Sequence, residues 1–118
     1  MKNKYEALRT DTRDLLDDWS DYPVATSVAT IALFRDRDQY VDIQIGRQDG
    51  YFVAGISSLT NSGGIAFGCS RKWGQFVTDK DAIVWALGEL LRHDDMIKGE
   101  ARKAAKERLL IELQPTLF

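Results

Sequence analysis

Nucleophilic catalysis by a thiol or hydroxyl needs a base within reach, commonly histidine. This 118-residue chain has one cysteine, Cys69, and one histidine, His93. Cys69 ends an alternating run, where a free cysteine serves as a small buried hydrophobe. His93 closes a helical stretch, where a surface imidazole is stabilised by the helix dipole. No motif joins the two, so no catalytic residue is assigned and a non-enzymatic protein is expected. Zinc takes four Cys or His ligands, or three and a water, so neither a metal site nor a cofactor is expected. The glycines of "NSGGIAFG" are followed by no lysine and open no helix, which argues against a phosphate loop.

Two other constellations remain. Asp14, Asp17, Asp18 and Asp21 share a face at helical spacing. No loop glycine or further oxygen-ligand pattern accompanies them, so they read as a solvated acidic face suited to a basic partner. The second constellation is aromatic and cationic. Tyr40, Tyr51, Phe52, Phe67, Trp73 and Phe76 lie in or beside strand-like runs, with Arg35, Arg37, Arg47, Arg71 and Lys72 at the turns. Aromatics interleaved with cations can stack bases and neutralise phosphates of a single strand. The same aromatics can equally be core residues, since strands are enriched in them. Arg47, Tyr51, Arg71, Lys72 and Trp73 are the candidate binding set.

The elements that would carry these residues follow from periodicity. Tyr5, Leu8, Thr12, Leu15, Leu16 and Trp19 form a stripe that predicts a helix over residues 3–19, ended by Pro23. Residues 25–34, "ATSVATIALF", read as a strand with Ala29, Ile31 and Leu33 on one side. Neither side carries a charge, which predicts a strand covered on both faces. "RDRD" is a charged turn, and "YVDIQIG" puts Val41, Ile43 and Ile45 inward. Asp49-Gly50 between two alternating runs signals a hairpin into "YFVAGIS". "GIAFGC" reads as a strand with Ile65, Phe67 and Cys69 on one side, and "WGQFV" as a fifth. Thr78 with Asp81 opens a helix with the stripe Ile83, Ala86, Leu87, Leu90 and Leu91. A last helix spans about 100–113, with a thin stripe of Ala101, Ala105, Leu109 and Leu113.

The fold class expected is α+β: an N-terminal helix, an antiparallel meander of four to five strands, then two helices packed on one sheet face. A chain of 118 residues predicts one domain over 1–118. The net charge of −2 lacks the basic excess of a duplex-DNA binder. The uncharged run Tyr22 to Phe34 is too short for a membrane-spanning helix of about 20 residues. With a charged N-terminus and a lone cysteine, a cytoplasmic protein with no membrane partner is expected. The order of a strand meander and then a helix, over Tyr40 to His93, is similar to that of single-strand-binding modules of the Pur-repeat type. "WGQF" departs from that layout. Two functions are carried forward. The first is an adaptor, inhibitor or subunit that acts through a protein surface as a homodimer. The second is a single-stranded DNA or RNA binder.

Overall fold

The computed structural model describes Ala25 and residues 28–114. The helix expected over 3–19, with Asp14, Asp17, Asp18 and Asp21, lies outside the described residues. Four strands, β1 (Val28–Asp36), β2 (Gln39–Gln48), β3 (Tyr51–Thr60) and β4 (Gly63–Phe67), form one antiparallel sheet in the order of the chain. A short 3-10 turn (Arg71–Trp73) leads to helices α1 (Asp79–Arg92) and α2 (Gly99–Leu113). The fold is α+β.

The strand meander follows from local chemistry. At the β2–β3 turn Asp49 and Gly50 both take positive φ, 52° and 85°, the geometry whose twist matches the flanking strands. Val41, Ile43 and Ile45 point to one face, where they meet Ala54 and Ile56 of β3 and the buried side of α1. Thr78 caps α1, its hydroxyl accepting the Asp81 N–H at 3.1 Å. From Ala82 to Leu90 every residue of α1 is buried, so Val84 and Trp85 join the expected stripe in the core. α1 lies across β2 and β3, and α2 packs beside it across β1. Both helices therefore cover the same sheet face.

Several expectations change. Among the described residues β1 is an edge strand, and its exposed Val28, Ala29, Thr30 and Ala32 show that it is not covered on both faces. The meander leaves the first strand outermost, so its lack of charge does not come from burial. A bulge at Leu33 shifts the register, so Phe34 rather than Leu33 stands opposite Val41. The "WGQFV" run is no strand: Trp73 ends the 3-10 turn, Gly74 bends the chain at φ 113°, and pairing is reduced to isolated bridges at Gln75 and at Phe76, the latter to Phe52. In α2, Ala101, Ala105 and Leu109 are buried as expected, whereas Leu113 is exposed together with Leu110 and Ile111.

The far face of the sheet has a small core of its own, made by Ala25, Val53 and Cys69. Cys69 does not share a face with Ile65 and Phe67, which pack into the main core. After Phe67 the chain crosses over Gly55, which presents no side chain, and Cys69 lands on the back of the sheet. The Cys69 carbonyl accepts the Ala25 N–H at 2.7 Å there. Among the described residues no helix is long and apolar enough to cross a membrane.

Candidate functional site

Arg47, Tyr51 and Arg71 gather at the β2–β3 end of the sheet, but on different faces. Arg47 stands opposite Phe52, lies over its ring at 4.4 Å and donates to the Gly50 carbonyl at 3.2 Å. Phe52 packs against the main core, so this pair lies on the helix side. Tyr51, one residue earlier, is half-buried on the opposite side. Arg71 holds the turn from outside: its guanidinium reaches Asp49 at 2.6 Å and Gln75 at 3.1 Å. The Arg71 backbone N–H also donates to the Gln48 side chain at 3.1 Å.

Lys72 and Trp73 belong to the adjoining 3-10 turn. Ser70 caps it, its hydroxyl accepting the Lys72 N–H at 3.1 Å. The Trp73 indole stacks at a tilt on Phe67, 4.5 Å between centroids, and donates its Nε1–H to the Gly68 carbonyl at 3.1 Å. The Lys72 ammonium sits 5.2 Å from the indole centroid. Trp73 is half-buried and joins the main core at its margin. Its π-face and its only donor are both engaged within the chain.

The two back-face tyrosines do not form one platform. Tyr40 begins β2, whereas Tyr51 stands opposite Gln48 at its end. Eight residues of strand separate these levels, about 27 Å at strand spacing. Arg35 beside Tyr40 is paired with Asp42 at 2.5 Å. Among the described residues no group of three or more His, Cys, Asp or Glu side chains is arranged to hold a metal ion.

Cys69 is fully buried, and burial pushes its thiol up to about 11. The thiol donates to the Val53 carbonyl at 3.1 Å. A group held protonated this way is a poor nucleophile at neutral pH. It also links stability to alkaline pH. Below the ordinary thiol pKa the folded and unfolded chains bind this proton equally. Above it the unfolded thiol ionises while the folded one does not, so stability falls until pH passes the folded value. Between pH 8 and pH 11 the wild type is expected to lose about 2 kcal/mol more than Cys69→Ala. Urea unfolding of both proteins across that range measures the difference, and parallel pH curves would refute the assignment.

Sequence reasoning missed one open apolar feature. Ala29, Ile31, Ile45, Phe52 and Ile83 line a groove of about 460 Å³ on the helix side, beside the start of β1, with Arg47 and Asp79 at its polar parts. No residue of α2 lines it. The signal was present in the uncharged run before Arg35, which reads as burial because composition cannot tell an inner strand from an unpaired edge. The sequence matches no protein-family model, and no curated protein or solved structure matches it either.

Proposed function

We propose that this chain is a small non-enzymatic interaction protein, of adaptor, inhibitor or subunit type, that acts through its β1 edge and self-associates there as a homodimer. One observation carries the reading: Val28 to Phe34 bears no charge, yet most of it is exposed on a sheet edge that no other described strand pairs. An edge strand displays backbone donors and acceptors ready to pair with another chain, and monomeric proteins usually blunt such edges with charge. Here Arg35 and Asp36 come only at the far end of the strand. α2 packs across β1, and its exposed Leu110, Ile111 and Leu113 add apolar surface of the kind that interfaces cover.

The single-stranded nucleic-acid reading draws less support. Arg71 is engaged by Asp49 and Gln75, Arg47 rests on Phe52, and Trp73 is spent on Phe67 and Gly68.

Light scattering on the full chain tests the proposal. The wild type is expected at twice its 13.4 kDa mass at micromolar concentration. Ala32→Lys, at an exposed position on the edge, is expected to weaken association at least tenfold without changing the far-UV spectrum. A wild type that stays monomeric to 100-fold higher concentration would overturn the reading.

A further inference from the structure

Resting on that self-association, we infer that two copies pair β1 with β1 antiparallel about a two-fold axis at Thr30, and that Ile31 of each copy covers the other's groove. The register follows from three constraints. A closed dimer of identical chains uses the same patch on both copies, and an antiparallel strand pair satisfies this with a two-fold axis through the pair. Residues directly opposite in such a pair point to the same face. The axis must therefore pass through a residue, because an axis between residues would set inward side chains against outward ones. The bulge at Leu33 breaks the regular run, leaving Val28 to Ala32 as the flat paired stretch.

Centred on Thr30, that stretch pairs with itself completely: Val28 with Ala32, Ala29 with Ile31, and Thr30 with Thr30. No charged residue enters it, so no like charges meet. An axis shifted to Ile31 or beyond would run the pairing through the bulge and then bring Arg35 or Asp36 into the seam.

The groove supplies the second observation. Ala29 and Ile31 share the helix-side face, since they stand opposite the core residues Ile45 and Ile43. Ala29 lines the groove and is small. In this register Ile31 of the second copy lies directly beside Ala29, over the open side that α2 leaves uncovered. The pairing is reciprocal, so one contact closes both grooves. α2 lies across β1 on the same face, so the two copies of this helix flank the seam and can cover Leu110, Ile111 and Leu113.

Site-directed cross-linking tests the register. Thr30 is exposed, so Thr30→Cys is expected to fold, and Cys69 is buried with its thiol held protonated. Under mild oxidation, or with a short bismaleimide, Thr30→Cys is expected to form a covalent dimer in high yield. Ala66→Cys, exposed on β4 at the opposite edge of the sheet, is expected to stay uncrosslinked. In a mixed-labelled sample, isotope-filtered NOEs are expected between Ile31 methyls of one copy and the Ala29 methyl of the other. A dimeric wild type whose Thr30→Cys variant does not cross-link above the Ala66→Cys background would overturn this register while leaving self-association standing. A monomeric wild type would overturn both.

Discussion

Replacing Gly55 by alanine is expected to lower folding stability by about 3 kcal/mol, the upper part of the range for overpacking. A Cβ there would lie 2.7 Å from the Cys69 amide nitrogen, 2.8 Å from the Phe67 carbonyl oxygen and 2.9 Å from the Cys69 Cα. All three are backbone atoms, so no flexible side chain can swing aside. The crossing segment would have to lift from the sheet, withdrawing Cys69 from Val53 and Ala25. For a domain with about 5–15 kcal/mol in total, that is a large fraction. Urea denaturation reads it as a drop in midpoint of about 1–3 M at the slopes usual for small proteins. Gly50→Ala is the contrast: nothing lies within 4 Å of its added Cβ, and only the positive φ of 85° opposes it. That change is expected to cost about 1 kcal/mol. Equal losses at the two positions would show that chain crossing is not what Gly55 permits.

Phe76→Ala is expected to cost about 3–5 kcal/mol, the usual range for emptying a buried phenylalanine site. Phe76 is fully buried, and its ring meets Trp85 of α1 with centroids 5.8 Å apart. Its backbone is tied to Phe52 in both directions, the Phe76 N–H to the Phe52 carbonyl at 2.8 Å and the reverse at 2.9 Å. It thus joins the sheet to α1, and the cavity would open between β3 and that helix. Phe76→Leu keeps most of the volume and the backbone bridge, and is expected to lose less than half as much. Chemical denaturation followed by tryptophan fluorescence measures both, with Trp85 as an adjacent reporter. A loss below about 1 kcal/mol for Phe76→Ala would refute the central place given to this ring.

Much of the fold is legible residue by residue. Asp49 and Gly50 announce their turn because few residue pairs tolerate positive φ at both positions. Thr78 announces the start of α1 because its hydroxyl can satisfy the Asp81 amide. Val41, Ile43 and Ile45 announce the inner face of β2 because side chains alternate along a strand. These signals act over a few residues and need no knowledge of the remainder of the chain.

The candidate site is less legible. Arg47, Tyr51, Arg71, Lys72 and Trp73 look like one binding set because they are close in sequence and alike in chemistry. The sheet divides them: Arg47 goes to the helix side with Phe52, Tyr51 to the back, and Trp73 onto Phe67. Which partner each side chain meets depends on contacts between residues distant in sequence, and no local period encodes these. The crossing at Gly68 and Cys69 depends on Gly55, more than ten residues earlier, having no side chain.

By itself, then, the sequence determined the α+β class, the β2–β3 hairpin, the start of α1 and the inner face of β2. Propensity, side-chain alternation and capping chemistry are properties of short segments, and they survive without tertiary context. Only the tertiary structure decided that, among the described residues, Val28 to Phe34 lies at the sheet edge and is mostly exposed rather than covered on both faces. Strand order is set by long-range packing, and an uncharged run satisfies an inner strand and a strand awaiting a partner equally well.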